Sequence, residues 1–170
     1  MTSRRKKRFA RTVVNFLAQL FPFFTKKRGV ALIVRNQIGL ILVLRELETK
    51  PEIGKHAGMF SIPMETVEPG EHDVQAIKRL IEEELPGLIS KIKVVQTRFG
   101  LYRVGHRTWA TLYTATASDD SLPDPQAVGV AGHQWVSPPE ALALHLRRGA
   151  REMIEDYISG RSFVVRRNCR

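Results

Sequence analysis

The order of segments predicts an α/β (α+β) fold in which a mixed sheet lies between helices. Short β-branched runs stand on both sides of one long amphipathic helix. A Pro/Gly-rich loop leads into that helix, and two further helical stretches close the chain.

Val30–Val34 and Leu40–Leu44 are two such runs, and Arg35-Asn36-Gln37-Ile38-Gly39 between them reads as a hairpin connection. Residues 46–59 are polar with Pro51, Gly54 and Gly58, and read as a loop. Phe60–Ile62 reads as a short strand that enters a second loop over Pro63–Glu71. A helix follows from about His72 to Leu85 and stops at Pro86-Gly87. Lys91–Val104 and Thr108–Ala117 read as strands joined at Gly105-His106, and Ser118–Gln126 as a surface loop with two prolines. His133–Val136 is a last short strand. Ser137 can cap a helix that begins at Pro138-Pro139, and a final helix covers about Ala150–Ile158. No internal repeat is present.

With 170 residues and 43% hydrophobic content, the chain is long enough for one domain with a sizeable core. The net charge of +10 is unevenly spread. Residues 1–29 hold nine Lys/Arg and no acid, leaving 18 of the 27 basic residues against all 17 acidic ones. The expected organisation is a basic amphipathic arm over 1–28, a domain over 29–160 and a basic tail over 161–170. In the arm, Phe9, Val13, Phe16, Leu20 and Phe24 recur at helical spacing, with Pro22 near the end. Arg11, Asn15 and Gln19 interrupt the apolar run, so it is no transmembrane span. Three readings stay open: contact with an anionic membrane surface, a targeting segment, or a helix docked on the domain. Its aromatic residues argue against a plain phosphate-binding tail, so nucleic acid is not the expected partner. The single cysteine, Cys169, can form no internal disulfide and fits a reducing compartment. The expected location is cytoplasmic, with peripheral membrane contact through residues 4–28 as an addition.

The most informative stretch runs from Phe60 to Ile89. Its helix gathers Glu82, Glu83 and Glu84 into the last turn, where the macrodipole repels acidic groups and they repel one another. A divalent cation is the obvious group to offset that cost. At ~100° per residue, Val74, Ile77, Ile81 and Leu85 form the face expected to meet the sheet. Glu83 and Glu84 lie on its flank, where a carboxylate can be partly dehydrated and still reach a cleft. Arg79 can pair with Glu83 at i+4 and with Glu71 across the loop.

This stretch resembles a Nudix box, G-x5-E-x7-R-E-U-x-E-E-x-G-U with U aliphatic. Val67-Glu68-Pro69-Gly70-Glu71 sets the register. Glu71 then falls on the first glutamate, Arg79 on the arginine, Ile81 on the aliphatic position, and Glu83 and Glu84 on the paired metal ligands. Phe60-Ser61-Ile62-Pro63 and Gln134-Trp135-Val136-Ser137 with Glu140-Ala141-Leu142 echo the family elsewhere, so the resemblance covers about residues 29–146. It implies an α/β/α sandwich with a mixed sheet and Mg²⁺-dependent (or Mn²⁺-dependent) hydrolysis of a nucleoside-diphosphate-linked small molecule. Glu83 and Glu84 would bind the metal, and Arg79 and Glu71 would organise them. A homodimer is a further expectation.

Three positions depart from the pattern. Leu80 stands where the family has a glutamate that serves as metal ligand or base, Glu65 replaces the opening glycine, and Leu85-Pro86-Gly87 delays the later glycine by one residue. If the missing carboxylate was the base, its loss costs ~10²–10⁴ in rate. Glu65 is a candidate to point its own carboxylate into the vacancy and join the metal ligands. The alternative to an enzyme is a catalytically impaired Nudix-fold module that binds a nucleotide or a protein. His133, Trp109 and Trp135 read as structural, and Asp119, Asp120 and Asp124 as loop acids among which the sequence does not choose.

Overall fold

The computed structural model describes residues 27–105, 107–123 and 127–160, without the side chains of 96–99. Residues 1–26 of the arm, His106, residues 124–126 and the tail from 161 lie outside the described residues, while Lys27 and Arg28 of the expected arm begin the first strand.

Among the described residues, seven strands form one mixed sheet: β1 (Lys27–Arg35), β2 (Ile41–Glu46), β3 (Phe60–Ser61), β4 (Met64–Thr66), β5 (Ile92–Gly105), β6 (Thr108–Ala117) and β7 (Val130–Val136). The helices are α1 (Asp73–Glu84), α2 (Pro138–Ala143) and α3 (Ala150–Ile158). The strand order is β3-β2-β1-β6-β5, with β4 added on β1 and β7 on β2. Strands β1 and β6 run parallel from Lys27↔Thr108 to Arg35↔Thr116, and β5 and β6 pair antiparallel.

Both faces of β1 are covered, and its sequence shows why. It is apolar without interruption from Val30 to Val34, as a strand buried on both sides must be. Side chains alternate across the pleat. Val30, Leu32 and Val34 pack with Ala76, Ile77, Leu80 and Ile81 of α1, whereas Ala31 and Ile33 pack with Ala141, Met153 and Ile154 of α2 and α3. Strand β2 divides the same way, sending Ile41 and Val43 to one side and Leu42 to the other. The expected sandwich of helices around a mixed sheet is therefore present.

Ser137 caps α2 as the sequence suggests, in a capping box with Glu140. At α1 His72 is the N-cap rather than part of the first turn, and the Gln75 side chain accepts its N–H at 2.9 Å. Two readings need correction. Met64–Thr66 lies inside the expected loop yet forms β4, because it pairs with Gly29–Ala31 of β1; three residues carry too little local signal to reveal such pairing. Val74 is 63% exposed and is not on the packing face of α1. The buried stripe is Ala76, Ile77, Leu80, Ile81 and Glu84, rotated toward Leu80.

Candidate functional site

The loop between β4 and α1 is organised around Arg79. Its guanidinium donates to Thr66 O at 2.7 Å and to Glu71 Oε2 at 3.1 Å, and stands 3.3 Å from Glu65 Oε1. Glu71 Oε2 also accepts the Glu68 N–H at 2.7 Å, closing the Glu68–Glu71 turn. The Arg79 hydrogen bond, aided by that backbone N–H, holds the Glu71 carboxyl below its ordinary range, and Glu71 in turn raises Arg79. The predicted Arg79–Glu71 link thus exists. Glu65, not Glu83, is the other partner, because the arginine turns toward the loop rather than along the helix.

Gly29 explains how Glu65 comes so close to β1. A Cβ on Gly29 would stand 2.9 Å from Glu65 O, so a side chain there would push β4 away. Glu65 Oε1 accepts the N–H of Thr66 at 2.5 Å, and Glu65 is among the residues that line the cleft beside β1.

The last turn of α1 supplies the other acids. Leu80 is 0% exposed within the apolar cluster under α1, so the position of the missing carboxylate is filled with core. Glu84, one turn later on the same face, is also buried, and its Oε2 accepts the Met64 N–H at 3.0 Å. Burial first, and then the nearby charge of Glu46, push its carboxyl up to about 8 against the opposing Met64 hydrogen bond. Glu83 is half-buried on the flank and does not line the cleft; its carbonyl accepts the Val128 N–H at 2.9 Å. His133 Nε2 is 2.7 Å from Glu84 O and so donates to an end carbonyl of the helix. Burial lowers the pKa of His133, consistent with the structural role expected for it.

A cleft of about 230 Å³ joins these parts; its charged lining is Glu52, Glu65 and Glu84 with Lys27, Lys50, Lys55 and Arg147. The basic lining residues were not singled out in the sequence. Lys55 Nζ is 2.8 Å from Glu46 Oε2, and Arg147 Nη1 is 3.2 Å from Glu46 Oε1. One signal was available: Glu46 ends the apolar run Ile41–Leu44 at a buried position, where a charge demands partners. Those partners lie in a loop and 101 residues away, beyond the reach of local pattern. A larger cavity of about 460 Å³ runs along α1 between Val74, Ile77, Ile89 and Tyr113. Its described lining contains no acid, so the chemistry belongs to the smaller cleft. Of the remaining candidates, Asp119 pairs with Lys91 at 2.9 Å and the Trp135 indole donates to Asp120 O at 2.9 Å, both serving the 118–121 loop.

Among the described residues, no three His, Cys, Asp or Glu side chains gather into a metal-holding group. Magnesium asks for less: it commonly takes one or two carboxylates and completes its shell with water and substrate phosphates. The Glu84 carboxyl, on the cleft lining and raised above its ordinary range first by burial, is one such carboxylate. The donor set therefore suits a cation that completes its shell with water and, when substrate is present, with phosphate oxygens.

Comparison with known proteins agrees with this geometry. The family model described as NUDIX domain matches residues 25–157. A C. elegans Ap4A hydrolase, solved as a binary complex, shares the fold with a TM-score of 0.62 at 14% identity, over 79% of this chain and 96% of that one. A mutT/nudix family protein from Listeria innocua gives 0.60 at 21% identity, over 80% and 94%. The NUDIX domain of Shewanella oneidensis NrtR, complexed with ADP ribose, gives 0.59 at 17% identity, over 78% and 86%. No curated protein matches the chain. Arg79 clamped on the loop glutamate, paired acids in the last turn of the same helix, and a domain match over most of the chain together establish that this protein belongs to the NUDIX family, with a degenerate box.

Proposed function

We propose that this protein is a Nudix-type hydrolase that cleaves the phosphoanhydride of a nucleoside-diphosphate-linked compound with Mg²⁺, or Mn²⁺ in its place. The observation that carries the reading is Glu84: a buried carboxyl on the cleft lining, anchored by the Met64 N–H, whose ionisation a bound cation would favour. Glu84 is the proposed metal ligand on the cleft, Glu65 on the same lining is a further candidate, and Glu83 is proposed to join them from the flank of the same turn. Arg79 and Glu71 hold the loop that carries Glu65. A divalent ion bound there supplies neutralisation of the diphosphate charge and a more acidic water. Leu80 provides no base, so proton removal falls to a group outside the box, and slow turnover is the expected consequence. The Ap4A and ADP-ribose named for two structural neighbours support the substrate class.

A phosphate-release screen over nucleotide sugars, ADP-ribose and nucleoside triphosphates tests this. Turnover that needs Mg²⁺ and falls at least ~10²-fold in Glu84→Gln is expected; wild-type rates in that variant would contradict it.

A second reading is a binding module that keeps the cleft without the reaction. Leu80, sealed in the core, is the observation that favours it. Metal-dependent nucleotide binding without release of any product would select this reading.

We also propose a cytoplasmic protein whose arm over residues 4–28 contacts anionic membranes, on the strength of its basic, acid-free, amphipathic sequence. No helix among the described residues is long and apolar enough to cross a membrane. Co-sedimentation with phosphatidylserine vesicles, lost on removal of residues 1–28, is the expected result. Self-association into a homodimer is proposed on family grounds and is read by analytical ultracentrifugation.

A further inference from the structure

The cleft contains a second charged cluster that the Nudix box does not account for. Glu46 at the end of β2, Lys55 in the following loop and Arg147 between α2 and α3 are all at least nine-tenths buried. The two cations grip one carboxylate, Arg147 Nη1 at 3.2 Å from Oε1 and Lys55 Nζ at 2.8 Å from Oε2. Arg147 Nη2 also donates to Ile53 O at 3.0 Å, and Lys55 Nζ to Gly129 O at 3.2 Å.

A latch that only ties segments together would be expected to balance its charge and satisfy its polar atoms, since unpaired buried charge is costly. This cluster does neither. Two formal positive charges face one negative, Arg147 Nε is buried without a hydrogen-bond partner, and Glu46 Oε2 is close to Lys55 but out of hydrogen-bond alignment. Both cations line the cleft that contains Glu65 and Glu84, and Lys50 stands beside them. The two cations, one with an unpartnered Nε, thus stand beside the space that holds the acids.

We propose that Lys55 and Arg147 form an anion subsite that receives a phosphate group of the substrate, with Glu46 as the positioning residue that holds both at the cleft. The proposal deepens the reading of the cleft as a diphosphate site and rests on it. A guanidinium presents a planar fork of donors suited to phosphate oxygens, and an ammonium adds a compact point charge. Glu46 fixes the pair but also competes with the incoming anion. Removing its charge therefore loosens the fold and strengthens anion binding, a pair of opposite signs that a structural latch would not produce.

The test uses the full chain and inorganic pyrophosphate, titrated calorimetrically without divalent metal, with thermal melts as a check on folding. Lys55→Met and Arg147→Met are each expected to weaken binding about tenfold or more, and Glu46→Gln to tighten it several-fold despite a lower Tm. If Arg147→Met does not fold, Arg147→Lys and Lys55→Met carry the test. Unchanged affinity in folded Lys55→Met overturns the proposal, as does weaker binding in folded Glu46→Gln. The hydrolase reading fails separately. Pyrophosphate binding that depends on Lys55, in a chain with no turnover on any nucleotide, leaves this subsite standing and removes only the reaction.

Discussion

Glu84 Oε2 accepts the backbone N–H of Met64 at 3.0 Å, so the last turn of α1 is fastened to β4 by a buried carboxyl. The bond fixes where the acid sits, and burial fixes how readily it ionises. Four expectations follow from this arrangement and its neighbours.

The first concerns pH. Glu84 is raised to about 8 in the folded protein from an ordinary value near 4.5. Below 4.5 both folded and unfolded chains hold this proton. Between 4.5 and 8 the unfolded chain has lost it and the folded chain has not, so folding stability declines as pH rises. Above 8 the loss is complete. The slope should be roughly 1 kcal/mol per pH unit in that window. Thermal melts from pH 5 to pH 8 should show this slope in wild type and a flatter profile in Glu84→Gln. Equal slopes would mean that Glu84 ionises freely.

Leu80 offers a second test. Its side chain fills the core under α1, so Leu80→Ala should cost about 2–5 kcal/mol by leaving a cavity. Restoring the family residue with Leu80→Glu should not simply restore a ligand. A carboxyl would enter an apolar cluster, and the variant should melt well below wild type even with saturating Mg²⁺. A Leu80→Glu protein as stable as wild type would show that this side chain can swing into the cleft.

The loop that carries Lys55 depends on Gly54. Its φ is +69°, and a Cβ there would meet Val104 O at 2.4 Å. Gly54→Ala combines left-handed strain with a clash against backbone, and should cost about 1–3 kcal/mol. Chemical denaturation measures the loss. An unchanged midpoint would mean that the loop does not rest on β5.

Arg79 is the fourth. Arg79→Lys keeps the charge but loses the fork that reaches Thr66 O, Glu71 and Glu65 together. It should lower Tm and reduce kcat more than KM, because the clamp organises the loop rather than holding substrate. A change confined to KM would reassign Arg79 to direct substrate binding.

Much of this architecture was legible in the sequence, for identifiable reasons. The helix over Asp73–Glu84 has strong periodicity and a Pro-Gly stop nearby, both local signals. The Val30–Val34 and Leu40–Leu44 runs announce buried strands by composition alone. Strand β4 was hidden because three residues become a strand only when Gly29–Ala31 lies alongside. Val74 was misjudged because a helical wheel fixes relative angles but not which side meets the sheet. In the site, Arg79–Glu71 was readable from the box spacing. The Glu46–Lys55–Arg147 cluster was not, because its members converge from distant segments.

The most direct test of a cation on Glu84 is Mg²⁺ titration calorimetry at pH 7 in two buffers of different ionisation enthalpy. Binding should release close to one proton in wild type, because the buried carboxyl must ionise to hold the ion, and neither binding nor proton release should survive in Glu84→Gln. Binding of equal strength in that variant, or binding with no proton released, would contradict the account.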